Sequence, residues 1–263
     1  MTTLSILQIS DLHILPESHN ALLGVNTEYY FNAVLDLALK NHQPFDLILV
    51  TGDLGQEPCM NSYQRILERL SQTQIPCLCL PGNHDDYTLM QAVFNSPLVN
   101  CQKQLLVNNW QIVCLNSQIV GSSGGFIEEA ELTFLEQCLI SYPDHHTLIA
   151  VHHNCIPTHS AWLDTMIIKN APELLNIVKP YPQVKVITTG HIHQEMDLVI
   201  NSIRVLGSPS TCFQFTPLSP SFSIDIKMPG YRVINAYDDG RINTSVWRLQ
   251  GELKELDLSS KSY

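Results

Sequence analysis

The side chains able to do chemistry in this 263-residue chain are carboxylates, imidazoles and one amide, gathered in short clusters. Asp11-Leu12-His13, Gly52-Asp53, Gly82-Asn83-His84-Asp85, His152-His153 and Gly190-His191-Ile192-His193 follow one another between residues 11 and 193. Oxygen and imidazole donors without thiolate select hard-to-borderline divalent ions such as Mn, Fe, Co or Zn. Asp53 is the natural bridge, because one carboxylate can give an oxygen to each of two ions. Asp11, His13 and His193 would complete one site, and Asn83, His152 and His191 the other. His191 and His193 lie two apart, on one side of the chain if it is extended, and so can serve neighbouring ions. Two such ions, roughly 3.5–4 Å apart, clamp an in-line displacement at phosphorus. Singly, each cluster has an ordinary explanation: Gly-Asp is a common turn and cap dipeptide, for instance. Their joint placement points to a dinuclear metal centre.

That placement depends on the elements before each cluster. Strands are expected over Leu4–Ile9, Asp46–Thr51, Cys77–Leu80, Gln111–Leu115, Thr147–Val151 and Val184–Thr189. These runs are rich in Val, Ile and Leu and mostly do not alternate with polar residues, as suits strands covered on both faces. Five of the six end directly in one of the clusters. Ligands of open α/β sheets bind beyond the carboxyl ends of the strands, so the clusters can converge. Helical spacing runs over Thr27–Leu39, with Thr27 as its N-cap, and over Ser62–Leu70 and Glu128–Leu139. Beyond residue 195, Leu198–Leu206 reads as a hairpin, and Tyr231–Tyr237, Asp238-Asp239-Gly240 and Ile242–Trp247 as another. Residues 207–230, with four prolines and many serines, read as a long cap-like loop. The whole is expected to be one α/β sandwich domain over 1–250, followed by a polar tail over 251–263.

Composition narrows the function. With 44% hydrophobic and 15% charged residues the chain can bury a large core, which excludes disorder for most of it. The 25 acidic against 14 basic residues, a net charge of −11, argue against a nucleic-acid backbone or an anionic membrane as partner. A small phosphate ester in a locally positive pocket remains compatible with that charge. The N-terminal MTTLSILQIS lacks the basic start of a signal peptide, and no apolar run reaches the ~18 residues of a membrane span. No Cys-x-x-Cys pair occurs among the eight cysteines, and several sit in apolar runs, so free thiols in the cytoplasm are expected. His19, His42, His145, His146 and His159 fall in polar stretches and are expected to be solvated loop residues.

The ordered set DxH, GD, GNHD, HH and GHIH resembles the signature of the calcineurin-like metallophosphoesterase superfamily. That resemblance implies a four-layer α/β/β/α sandwich, two central β-sheets flanked by helices. ALLGVNT (21–27), FDLILVTGDL (45–54), LPGNHD (80–85), SAWLD (160–164), GHIHQEMDL (190–198) and GSPSTCFQF (207–215) are similar to bacterial class III 3′,5′-cyclic-nucleotide phosphodiesterases, in particular those acting on cyclic AMP. The similarity runs from about residue 5 to 250. It implies Asp11, His13, Asp53 and His193 at a first metal and Asp53, Asn83, His152 and His191 at a second, with His84 against the phosphate and Asp85 orienting His84 or supporting its turn. His13, Asp53, Asn83, His84 and His193 would then surround the bound substrate. His152 is chosen over His153 because it comes first after its strand and fits this resemblance; His153 is the fallback. Asn154 departs from many relatives, which have His or Pro there, and this bears on the shape of the loop.

The implied reaction is hydrolysis of 3′,5′-cyclic AMP to 5′-AMP by a hydroxide bridging two divalent ions, Fe and Mn being favoured and Zn or Co acceptable. His84 would stabilise or protonate the leaving 3′ oxygen. Other small phosphodiesters, such as glycerophosphodiesters or 2′,3′-cyclic nucleotides, are the alternative substrates. A non-catalytic interaction module is the alternative of another class, and the full set of proposed ligands argues against it. Trp162, Phe213 and Phe215 are candidates to stack on a purine or, equally, to pack in the interior. The aromatics and prolines of 207–230 also offer a homodimer contact.

Overall fold

The computed structural model describes residues 3–42 and 44–262. Met1, Thr2, Gln43 and Tyr263 lie outside the described residues, and with them the start of the N-terminal stretch and the end of the expected tail. Along the chain, β1 (Thr3–Ile9), α1 (Thr27–Asn41), β2 (Leu47–Thr51), α2 (Met60–Ser71), β3 (Cys77–Leu80), α3 (Tyr87–Val93) and β4 (Val99–Asn100) build one half. The other half holds β5 (Gln104–Val107), β6 (Trp110–Leu115), α4 (Glu129–Ser141), β7 (His146–Val151), α5 (Ala171–Val178), β8 (Val184–Thr189), β9 (Met196–Ile200) and β10 (Ile203–Gly207). A short pair, β11 (Gln214–Phe215) and β12 (Ile224–Asp225), precedes β13 (Gly230–Tyr237) and β14 (Ile242–Arg248).

Two six-stranded sheets result, in the orders β14-β13-β1-β2-β3-β4 and β5-β6-β7-β8-β10-β9. In both, the central strands are parallel; antiparallel strands close both edges of the second sheet and the β14-β13 edge of the first, whose other edge strand, β4, pairs parallel with β3. The side-chain period of two divides each apolar run between two interiors. Leu47 and Leu49 of β2, Leu78 and Leu80 of β3, and Leu148 and Ala150 of β7 fill the space between the sheets. Ile48, Val50, Cys77 and Cys79 face the opposite way, toward Phe31, Val34 and Ile66 of α1 and α2. Ile149 and Val151 likewise face Leu135, Leu139 and Leu174 of α4 and α5. The layers are therefore α/β/β/α, and the apolar runs are unbroken because both faces of each strand are buried.

Several local expectations are corrected. Asn26, not Thr27, caps α1, its side chain accepting from Tyr29 N, while the Thr27 hydroxyl donates to His13 O at 2.8 Å. Sequence periodicity misses α3, α5 and β5, and the 207–230 loop holds β11 and β12. His42 closes α1 and packs on Trp247 with ring centroids 4.6 Å apart, while His146 opens β7; neither is a solvated loop residue. The 251–262 stretch is docked: Leu253 is buried with Val25 and Tyr30, and Tyr30 Oη donates to Glu255 Oε1 at 2.6 Å. No helix among the described residues is long and apolar enough to cross a membrane.

Candidate active site

The five clusters meet at the carboxyl ends of β1, β2 and β3 of one sheet and of β7 and β8 of the other. The loops after β1 and β2 stay paired, with Asp11 N donating to Gly52 O at 3.0 Å and His13 N to Asp53 O at 2.9 Å. His191 N donates to Asp11 Oδ1 at 3.0 Å and ties the two sheets together. Asp11, His13, Asp53, His191 and His193 all adopt positive φ, between 47° and 61°. The left-handed region costs each of these residues about 1–3 kcal/mol, a strain that collects where surrounding structure must aim a side chain. His191 and His193 are thus not the extended pair expected; Ile192 between them is buried and anchors the turn. Gly52, at φ 93°, leaves room for His152: a Cβ there would lie 2.3 Å from His152 Nδ1.

Asp11, His13, Asp53, His152, His153 and His193 are fully buried and His191 nearly so. Ligand atoms of Asp11, His13 and His193 lie within 4.8 Å of one another, as do those of Asp11, Asp53 and His152 and those of His152, His153 and His191. The hydrogen bonds on the far sides of the rings decide what these atoms can do. His193 Nδ1 donates to Phe213 O at 2.9 Å, His152 Nδ1 to Thr51 O at 2.8 Å, and His13 Nδ1 to Gln56 Oε1 at 2.7 Å. Each Nε2 is thereby left as an acceptor in the neutral ring, the arrangement that orients metal-binding histidines. Yet His13 Nε2 and His193 Nε2 face each other at 3.2 Å, and His152 Nε2 lies 3.3 Å from Asp53 Oδ2. Lone pairs held this close repel unless a proton or a cation lies between them. Among the described residues, Asp11 Oδ2, Asp53 Oδ2, His153 Nε2 and both ring nitrogens of His191 are buried without a hydrogen-bond partner. Such groups are costly to bury unless something binds them. The donor set therefore fits divalent cations.

The titration behaviour has the same origin. Burial pushes His13 and His153 down to about 3 despite the nearby Asp53 carboxylate, so both rings are neutral. Burial, reinforced by His153 and His152, holds His191 well below the usual range. His152 goes the other way, up to about 9, because the adjacent Asp53 carboxylate outweighs the effect of burial. Asp53 is correspondingly held well below the usual carboxylate range, against burial, by His152 and its other histidine neighbours. A proton on His152 occupies the place a cation would take.

Asn83, His84 and Asp85 leave β3 in a turn. Asn83 Oδ1 sits 3.1 Å from His152 Nε2, beside the buried group. The backbone N–H of His84 donates to Asp53 Oδ1 at 2.9 Å, and its Nδ1 lies 3.3 Å from Gln56 O. The Asp85 carboxylate accepts from Leu54 N, Gly55 N, Gly82 N and Tyr63 Oη at 2.9–3.1 Å. Of the two roles expected for Asp85, these bonds favour support of the turn: the residue ties the loop after β2 to the loop after β3. Asn83, His84 and His191 line a cavity of about 530 Å³, while His13, Asp53 and His193 lie buried beside it.

Sequence reasoning missed the groups that orient the histidines. Gln56 and Ser117, whose hydroxyl lies 2.7 Å from His153 Nδ1, are ordinary loop residues in sequence, and the carbonyls of Thr51 and Phe213 have no residue-type signal at all. Phe213 and Phe215 are not accessible for stacking on a ligand. Both are buried, and Phe215 stacks on the His193 ring at 4.2 Å.

Comparison with known proteins fits this geometry. Residues 4–195 match the model of a family described as calcineurin-like phosphoesterase. The chain is 39% identical over 259 residues to a protein of Escherichia coli (strain K12) named 3′,5′-cyclic adenosine monophosphate phosphodiesterase CpdA, covering 98% of this chain and 94% of that one. It is 36% identical over 246 residues to a 3′,5′-cyclic-nucleotide phosphodiesterase of Nostoc sp. (strain PCC 7120), covering 94% and 92% respectively. Among solved structures, a dimetal phosphatase from Danio rerio superposes with a TM-score of 0.60 at 14% identity, over 93% of this chain and 98% of that one. A purple acid phosphatase from yellow lupin gives 0.64 at 13%, over 94% and 52%. These two establish likeness of fold.

Proposed function

The chain belongs to the calcineurin-like phosphoesterase family, and on that premise we propose that it hydrolyses 3′,5′-cyclic AMP to 5′-AMP at a dinuclear metal centre, lowering cyclic-AMP signalling. The observation that carries the reading is the convergence of buried, unpartnered carboxylate and imidazole atoms from both sheets beside a cavity of nucleotide size. Asp11, His13, Asp53 and His193 would hold one ion, and Asp53, Asn83, His152 and His191 the other, with iron and manganese favoured and zinc or cobalt accepted. His152 is favoured over His153 because it alone of the pair groups with Asp11 and Asp53. Bound there, the ions supply an acidified water as nucleophile and positive charge for the phosphate oxygens.

The chain's own residues do the rest. Gln56, Thr51 and Phe213 fix the three imidazoles so that their Nε2 atoms face the carboxylates. Burial of Asp11 and Asp53 keeps water from loosening the arrangement. His84 stands half-buried at the cavity wall, its ring 5.0 Å from that of His13 and its backbone pinned by Asp53. From there it holds the phosphate and delivers a proton to the leaving 3′ oxygen. Asn83, on the same wall, offers its amide to the same phosphate.

The substrate is a small molecule, and neither nucleic acid nor membrane is a partner in this reading. The eight free thiols are consistent with a reducing cytoplasm. A homodimer through 207–230 would rest on the exposed Leu218 and Ile226; light scattering at micromolar concentration tests it by mass. The reaction itself is tested with Mn(II)-loaded protein offered cyclic AMP, cyclic GMP, a 2′,3′-cyclic nucleotide, glycerophosphocholine and an aryl phosphodiester. Preference in kcat/KM for cyclic AMP, with 5′-AMP as sole product, supports the reading; equal or higher activity on the other diesters refutes the assignment of substrate.

A further inference from the structure

The lining of the cavity beside His84 combines two chemically different sets of side chains. Asn83, His84 and His191 belong to the polar one, and Trp162, Met166 and Phe222 to the apolar one. Trp162 and Phe222 meet edge to face, with centroids 5.2 Å apart and planes at 74°. Trp162 also meets Phe215 edge to face at 4.9 Å, and Phe215 in turn stacks on His193. Phe215 and Phe222 also meet, at 5.7 Å, so the indole is held in a three-ring cluster and a flat ligand would find it already ordered.

We infer that Trp162 and Phe222 form the wall that receives the purine of the substrate. The inference rests on the cyclic-AMP reading above and deepens it. A phosphate held at His84 and Asn83 leaves the aromatic part of the same lining to the base, and about 530 Å³ accommodates both. Phe213 and Phe215 serve behind this wall, as packing between it and the histidines.

The test compares wild-type, Trp162→Leu and Trp162→Phe proteins, each Mn(II)-loaded, on cyclic AMP and on bis(4-nitrophenyl) phosphate, which carries no purine. Stacking on one aromatic side chain is typically equivalent to about 5–150-fold in affinity. Trp162→Leu is expected to raise KM for cyclic AMP by about 10–100-fold, with a smaller effect on kcat. The ratio of kcat/KM for cyclic AMP to that for the aryl diester falls with it, and 5′-AMP loses its advantage over ribose 5-phosphate as a product inhibitor. Trp162→Phe keeps an aromatic stacking face and recovers most of the KM. Equal losses on both substrates with both variants would overturn the inference and make Trp162 a packing residue acting through Phe215 and His193. A wild-type protein active on the aryl diester but inert to cyclic AMP would overturn the substrate reading itself, and this wall with it.

Discussion

His13 and His193, 180 residues apart in sequence, meet with their Nε2 atoms 3.2 Å apart while their Nδ1 atoms donate outward to Gln56 and Phe213. With each Nδ1 donating outward, the two Nε2 atoms turn toward each other, and a cation bound between them would relieve the contact. The same logic applies to His152 and Asp53. Much of the centre's stability should therefore depend on bound cations. Chelation is expected to lower the melting temperature, and Mn(II) to restore it in a concentration-dependent way. Saturation at 100 times Kd corresponds to about 2.7 kcal/mol per site. Calorimetric scans with and without metal check this; identical transitions would contradict it.

Gly52 tests how closely the backbone must approach His152. At φ 93° with a virtual Cβ 2.3 Å from His152 Nδ1, Gly52→Ala adds both strain and a clash against a fully buried ring. A stability loss of about 1–3 kcal/mol is expected from the backbone alone. Weaker metal binding should accompany it, since His152 must move. Denaturant unfolding and elemental analysis of the variant measure the two effects separately.

His84 divides chemistry from assembly. It reaches the cavity, and although its ring groups with His13 and Asp53, the groupings that hold Asp11, His193 and His152 close without it. His84→Ala is expected to reduce kcat by about 10²–10⁴-fold while metal content stays at the wild-type level. Loss of metal together with activity would move His84 from chemistry to assembly.

Acid sensitivity should have a contribution far from the centre. Burial lowers the pKa of His42 below its ordinary 6.5, where it packs on Trp247 and Tyr231 at the end of α1. The folded state thus prefers the neutral ring. Its contribution is complete above about pH 6.5 and is lost as the pH falls and the unfolded chain takes up the proton. His42→Leu should remove that part of the acid destabilisation, measured as a flatter dependence of unfolding free energy on pH between 7 and about 5.

Much of this architecture was legible because burial on both faces leaves an unmistakable trace. Leu47–Thr51 reads as a strand since no residue in it faces water, and the chemistry begins where the run stops. The short α3, with seven residues, is held by packing on α2 and the Asp86 cap more than by its own periodicity. In 207–230, prolines and serines suggested a loop, yet Phe213 and Phe215 are buried by contacts with His193 from the loop after β8, which no local pattern encodes. The candidate site residues were visible by type and order. The groups that orient them were not, because a backbone carbonyl such as Phe213 O contributes no letter to the sequence. The Trp162 and Phe222 wall was half visible: Trp162 stood out, but its neighbour lies 60 residues further on.

The most direct test of a two-ion centre organised by Asp53 is a metal count. Wild-type and Asp53→Ala proteins, stripped and then titrated with Mn(II) under calorimetry, should differ completely. Two ions per chain are expected for the wild type and none of comparable affinity for the variant, because Asp53 lies among the groups of both proposed sites. A variant that still binds two ions, or a wild type that saturates at one, would contradict the bridging role and the dinuclear centre built on it.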